Sequence, residues 1–84
     1  MEILFTKHAL RKQEILKDLG WYVDLDAVRS AIQQPDFQGQ TKSGQKFALK
    51  SLDSNHQLRV VYKIEGDIIK VITFHVTVKG RYER

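Results

Sequence analysis

The residues best suited to chemistry lie in the last third of the chain. Residues 57–84 read QLRVVYKIEGDIIKVITFHVTVKGRYER, and in the first strand pattern Arg59 and Lys63 share one parity. A titratable His75 follows, and a basic tail ends the chain with Lys79, Arg81, Tyr82 and Arg84. Arginine binds phosphate oxygens through paired hydrogen bonds, and histidine exchanges protons near neutral pH. This combination suits RNA cleavage without a metal ion.

Such cleavage needs a deprotonated 2′-hydroxyl, a stabilised pentacovalent phosphate and a protonated 5′-oxygen. Arg59, held on a strand, is predicted to stabilise the phosphate, and His75 is predicted to act as acid or base. Each has a structural alternative: Arg59 packs its stem over the sheet, and His75 pairs across a strand. The alternative for Tyr82, which otherwise stacks on a base or relays a proton, is a frayed tail. The predicted catalytic set is Arg59, His75, Arg81 and Tyr82.

The remaining candidates are cations and histidines. Residues predicted to bind RNA are Lys63, Lys70, Lys79 and Arg84. His8 falls on the apolar stripe of the first helix, where it either bonds a backbone group in the core or supports the site. His56 lies in or next to a turn and is expected to be solvated. Because the histidines have no ligand spacing and the chain has no cysteine and no Gly-rich phosphate loop, no metal site and no cofactor are predicted.

Composition indicates a small globular protein. A chain of 84 residues is expected to form one domain, residues 1–84, with one small core. Its sequence has no apolar run near the roughly 20 residues of a membrane span and no visible secretory signal, so a cytoplasmic protein is expected. Fourteen basic and ten acidic residues give a net charge of +4, and residues 41–84 have nine basic and four acidic residues. Such a surface attracts polyanions, although a merely solvated surface is the alternative.

The elements that position these residues follow from periodicity. A short strand at residues 3–5 precedes a helix from Lys7 to about Leu19, which Thr6 caps and Gly20 ends. Its apolar stripe contains Ala9, Ile15, Leu16 and Leu19, together with His8 and Lys12. Trp21 and Tyr22 are expected to close the core. Asp24 caps a second helix that ends before Pro35, and residues 35–44 are interpreted as a loop.

Three strands are predicted in the second half, at residues 45–51, 58–64 and 68–76. In the first of them, Phe47 and Leu49 alternate with Lys46, Ala48 and Lys50. The order β-α-α-β-β-β predicts an α+β fold, with a mainly antiparallel four-stranded sheet and two helices on one face. A two-residue hairpin loop pairs Leu58 with His75, whereas a three-residue loop places His75 on the face of Arg59. The sequence leaves this choice open.

The run LRVVYKIEGDIIKVITFHVTVKGRY resembles the C-terminal half of RelE/ParE-type toxins. In that superfamily an Arg-x-x-Tyr strand leads through an acidic turn into an aliphatic strand and then a basic stretch with Arg and Tyr. FTKHAL is similar to the start of the first helix in small bacterial relatives of the RelE or BrnT kind. The resemblance covers roughly residues 3–19 and 57–84. Tyr82 directly follows Arg81, which departs from the usual spacing.

The resemblance implies a toxin-type endoribonuclease that cleaves messenger RNA, either free or on the ribosome, and is inhibited by a small antitoxin protein. Carried over, Arg59 matches the strand arginine that contacts phosphate, Lys79 or Arg81 the second basic residue, and Tyr82 the C-terminal tyrosine. Members that act on gyrase share the fold, so fold alone does not determine activity. The alternative is a non-catalytic module of the same fold that binds an antitoxin-like or acidic partner.

Overall fold

A computed structural model describes residues 1–81 of the chain and places two helices against one five-stranded sheet. In chain order the elements are β1 (Glu2–Phe5), α1 (Lys7–Asp18), α2 (Leu25–Gln33), β2 (Phe37–Gln40), β3 (Lys46–Ser51), β4 (His56–Glu65) and β5 (Ile68–Val78). The strands lie in the order β1-β5-β4-β3-β2. Strand β1 is parallel to β5, and the other pairs are antiparallel. The α+β class is therefore confirmed.

The prediction of a four-stranded sheet is wrong, because the segment interpreted as a loop contains β2. Phe37 pairs with Leu49 and Gly39 with Phe47, which adds an edge strand beside β3. Its glycine permits the pairing, since a Cβ built on Gly39 would lie 2.8 Å from Cζ of Phe47. Glycine lowers the strand propensity of so short a segment, so the pattern FQGQ has little strand signal of its own.

Both helix starts are as predicted. The Thr6 hydroxyl accepts the Ala9 N–H at 3.1 Å, and the Asp24 carboxylate accepts the Ala27 N–H at 2.8 Å. Thr6 also donates to the carbonyl of Ile72 at 3.1 Å, which ties the start of α1 to β5. Within the described part of the chain, neither helix has the length and apolar character of a bilayer crossing.

The main core lies between the helices and one face of the sheet. Its buried members from the helices are Ala9, Leu16, Val28, Ala31 and Ile32, and they pack with sheet residues that include Leu58, Val60, Tyr62, Val71 and Phe74. The predicted stripe of α1 is partly wrong: Ile15 is 43% and Leu19 70% exposed. Lys12, which the predicted stripe included, is half-buried, and so is Gln13, which it did not include. Trp21 packs against this core, but Tyr22 is exposed.

The opposite side of the sheet, here called the helix-free face, has a second apolar cluster. Phe47, Leu49 and Val61 are buried there, and Ile72 packs against them. On β3 the small Ala48 faces the helices, so the larger Phe47 and Leu49 point the other way. The helix-free face therefore has an apolar layer, and polar side chains of β4 and β5 lie beside it.

Candidate functional site

The geometry of the β4–β5 hairpin decides where His75 lies. Glu65 pairs with Ile68 across the two-residue loop Gly66-Asp67, and the register then shifts by one residue between Val61 and Tyr62. Beyond this β-bulge Val61 pairs with Thr73, Arg59 with His75 and Leu58 with Val76. The hairpin therefore has the two-residue loop. The extra residue in β5 nevertheless places His75 on the same face as Arg59, as the three-residue loop would have done.

Arg59 occupies the centre of the helix-free face. Its neighbours across the strands are Leu49 on β3 and His75 on β5. The guanidinium carbon lies 4.9 Å from the centroid of the Phe47 ring, within the range of a cation–π interaction. The arginine stem therefore does pack over the sheet, as the structural alternative proposed. The same contact holds the charged head over the face at a defined place.

His75 stands directly opposite Arg59. Cross-strand partners have Cβ atoms about 4.5–5.5 Å apart, so the two side chains lie within reach of one phosphate group. His75 is half-buried, and burial is the largest cause that lowers its pKa. The positive charges of Arg59, Lys12 and Arg81 lower it further. At neutral pH the imidazole of His75 is therefore in its neutral form, with cations near it.

Lys12 is a member of this group that the sequence analysis did not select. Strand β1 pairs only with Ile68–Val71, so the half of β5 that includes His75 is a sheet edge. Helix α1 follows that edge, and the charge of Lys12 acts on His75 around it. The signal in the sequence was a lysine within an apolar stripe. A half-buried cation in such a position has few structural uses.

Arg81 reaches the same group from the end of β5. The N–H of Lys79 donates to the carbonyl of Asn55 at 2.9 Å, and Gly80 then turns the chain with a φ of 87°. Arg81 follows this turn and lowers the pKa of His75. Of the predicted residues, Arg59 and His75 are thus cross-strand neighbours, and the charge of Arg81 acts on His75. Tyr82 and Arg84 lie outside the described residues.

Two of the predicted RNA-binding lysines, Lys63 and Lys70, form a separate group near the turn of the β4–β5 hairpin. Lys63 and Lys70 are cross-strand partners, and Glu65 lies between them, 3.6 Å from Lys63 Nζ and 2.9 Å from Lys70 Nζ. The hydrogen bond from Lys70 and the two positive charges lower the pKa of Glu65. One carboxylate therefore offsets part of this charge. Four residues of strand, roughly 13 Å, separate Lys63 from Arg59.

The other predicted residues lie apart. Lys79 is exposed just after β5, where its backbone closes the turn with Asn55. His8 is exposed on α1, so its interpretation as a core histidine is wrong. Its role in supporting the site stays a prediction.

His56 is more ordered than the sequence suggested. It begins β4, and its Nδ1 lies 3.0 and 3.1 Å from the two carboxylate oxygens of Asp53. Asp53 also accepts the N–H groups of Asn55 and His56. These hydrogen bonds, the one from Asn55 first, lower the pKa of Asp53. The imidazole of His56 is 4.9 Å from the Trp21 ring, which no local sequence pattern predicts.

Among residues 1–81, no group of three or more histidine or acidic side chains is arranged to hold a metal ion. Compared with known proteins, the chain matches no family model, no curated protein and no solved structure. What the protein does is therefore argued from its own side chains.

Proposed function

We propose that this chain is an endoribonuclease of the bacterial toxin type, which acts in the cytoplasm and cleaves RNA without a metal ion. The observation that carries the proposal is the cross-strand pair of Arg59 and His75, with Lys12 and Arg81 close enough to act on the same imidazole. The resemblance to RelE/ParE-type toxins points the same way. The RNA-cleaving members of that superfamily act on messenger RNA, free or on the ribosome.

The reaction follows from the properties of the pair. Neutral His75 takes the proton of a 2′-hydroxyl, and the 2′-oxygen forms a bond to phosphorus. Arg59 holds the non-bridging oxygens as negative charge develops, with Arg81 and Lys12 adding to the positive potential. The bond from phosphorus to the 5′-oxygen breaks, and that oxygen takes up a proton from water while the imidazolium of His75 releases its proton to solvent. The products are a 2′,3′-cyclic phosphate and a 5′-hydroxyl.

The test is cleavage of a labelled RNA oligonucleotide by the purified protein, with and without ribosomes. Arg59→Ala and His75→Gln are each expected to slow cleavage by about 100-fold or more, because each removes a group that acts on the transition state. Ends that carry a 2′,3′-cyclic phosphate are expected. An otherwise identical oligonucleotide with 2′-hydrogen at the cleaved position should stay intact.

Arg29→Ala is the matched control for Arg59→Ala. Arg29 also sits over a phenylalanine ring, with its guanidinium carbon 5.2 Å from the Phe5 centroid, but it lies on α2 and pairs with Asp26. Its loss changes the net charge equally and should leave cleavage near the wild-type rate. If the wild-type protein cleaves nothing under either condition, or if Arg59→Ala and Arg29→Ala cleave alike, the catalytic proposal is wrong.

A second candidate is a non-catalytic module that binds a small antitoxin-like protein or another acidic partner. It is favoured by the edge strand β2 and by Phe37, which is 36% exposed and lies 6.2 Å from the Phe47 ring. An extended peptide can add to such an edge through backbone hydrogen bonds. Growth arrest on expression that Arg59→Ala relieves would favour the enzyme. Stable binding of the product of an adjacent reading frame, with no RNA cleaved, would favour the module.

A further inference from the structure

A cleft of about 320 Å³ opens between the end of α1 and the end of β5. Its apolar walls are Leu16 and Leu19 from α1 and Val76 and Val78 from β5. Leu19 and Val78 are 70% and 59% exposed, so these walls face solvent. The size is within the range of small-molecule sites. Apart from Arg81, the residues that line this cleft have no part in the reaction proposed above.

The end of α1 is built so that Trp21 faces the cleft. The N–H of Trp21 donates to the carbonyl of Leu16 at 2.8 Å, and that of Gly20 donates to Lys17 at 3.0 Å. These two bonds, with Gly20 at a φ of 92°, form a Schellman motif. The motif brings Trp21 back beside Leu16, and both side chains line the cleft.

His56 packs against Trp21 and forms the second aromatic surface of the cleft. Its ring centroid is 4.9 Å from that of Trp21, and the two planes are inclined by 59°. Because Asp53 binds Nδ1, the orientation of the imidazole is set before any ligand arrives. Two aromatic rings held by separate hydrogen-bond systems thus border one apolar cleft, which suits a flat ring that offers a π-face.

Arg81 gives the cleft a positive charge. It lines the cleft, and its charge also acts on His75. A ligand that fills the cleft therefore has a cation at one end. Among common ligands, a nucleotide combines a flat apolar ring with an anionic group a few ångströms away.

We infer that this cleft binds a nucleobase of RNA, with Trp21 and His56 as its aromatic surface and Arg81 beside the phosphate of the same nucleotide. The inference rests on the proposed function, because it identifies where a base of the substrate binds. Stacking on aromatic side chains accepts every base, so the cleft provides affinity and register rather than strict sequence choice.

Trp21 is the only tryptophan in the chain, so its fluorescence reports on this cleft. We expect adenosine and uridine 5′-monophosphate to quench it saturably, and ribose 5-phosphate to have little effect at the same concentrations. A six-nucleotide RNA with 2′-O-methyl riboses, which cannot be cleaved, should quench at lower concentration than either mononucleotide, because its further phosphates are attracted by a protein of net charge +4. Equal affinity for the mononucleotides and the RNA would overturn the assignment to an RNA base.

Leu19→Glu is the informative variant, since it places a carboxylate at the mouth of the cleft. We expect at least about fivefold weaker nucleotide binding, the smallest effect typical of a lost stacking site. Leu10→Glu is the matched control, because Leu10 is 44% exposed on the same helix and does not line the cleft. Circular dichroism melts should show both variants folded.

Failure of this inference can be told apart from failure of the proposed reaction. The cleft assignment is overturned if ribose 5-phosphate quenches Trp21 as well as the nucleotides do, or if Leu19→Glu and Leu10→Glu bind alike. Both results are independent of cleavage. If nucleotides quench the fluorescence of Trp21 and Leu19→Glu weakens their binding, the assignment of the cleft holds even where no RNA is cleaved.

Discussion

His75 illustrates how one residue acquires chemistry from its neighbours. Its imidazole is half-buried opposite Arg59, and the charges of Lys12 and Arg81 reach it from α1 and from the end of β5. Each cation makes protonation of His75 less favourable. The arrangement therefore favours the form that accepts a proton and surrounds it with groups that bind phosphate.

The lowered pKa of His75 predicts how stability depends on pH. The unfolded chain binds a proton near the ordinary pKa of 6.5, whereas the folded chain binds it only at lower pH. The free energy of unfolding should therefore decrease as pH falls through 6.5 and level off below the folded-state pKa. Urea unfolding of the wild type and of His75→Gln, at pH 7.5 and pH 5.5, measures this.

We expect the wild type to lose more stability than His75→Gln between these two pH values. Asp53 and Glu65 have lowered pKa values and ordinary values of 3.8 and 4.5, so their effect appears at lower pH. Equal losses in the two proteins would mean that the pKa of His75 is not lowered by folding. In the cleavage reaction, the acidic limb of the pH profile should likewise lie below pH 6.5.

At the scale of elements, the β4–β5 hairpin shows what the sequence can and cannot determine. The parity of Arg59 and Lys63 against Leu58, Val60 and Tyr62 was predictable, because alternation has a period of two. The bulge at Ile72 was not, since an inserted residue leaves no local signature in a run of Ile, Val and Thr. That one residue decides whether His75 faces Arg59.

The predictions for β2 and for the apolar stripe of α1 were wrong for other reasons. Periodicity at 100° per residue placed Ile15 and Leu19 in the stripe. The residues of α1 that lie away from solvent are instead Ala9, Lys12, Gln13 and Leu16. Strand β2 is recruited by pairing with β3 and not by its own propensity. Tertiary contacts also create the Trp21–His56 cleft, whose two rings are 35 positions apart in sequence.

Gly39 gives a test of how β2 is held. Gly39→Val should lower the free energy of unfolding by about 1–3 kcal/mol, because the new side chain collides with the buried Phe47 ring. Gln38→Val is the control on the same strand, at an exposed position that pairs with Ala48. Urea denaturation compares the two. A cost for Gly39→Val no larger than for Gln38→Val would show that the strand moves away from β3 without penalty.

At the scale of the whole molecule, two groups of cations lie at different places along the β4–β5 hairpin. One is the group of Lys12, Arg59 and Arg81 around His75, and the other is the pair Lys63 and Lys70, which Glu65 partly neutralises. Net charge attracts a polyanion, but local pairing decides which cations exchange their counterions for phosphate. The two groups should therefore contribute unequally to RNA affinity.

Salt dependence measures this inequality. If three cations of the His75 group each neutralise a phosphate, the logarithm of the RNA association constant should fall with the logarithm of salt concentration with a slope of about −2. Arg59→Gln with Arg81→Gln should flatten the slope. Lys63→Gln with Lys70→Gln should change it less, because Glu65 already compensates them. A larger change from the lysine pair would contradict this division of charge.

The parallel pairing of β1 with β5 has a consequence for synthesis on the ribosome. Glu2 and Ile3 pair with Ile68 and Ile69, so β1 has no partner until β5 has been translated. Contacts between such distant residues slow folding, and until they form the apolar Ile3 and Phe5 stay uncovered. A chain released before Ile68 also lacks His75. Such incomplete products of translation would therefore carry no assembled site and would not cleave RNA near the ribosome.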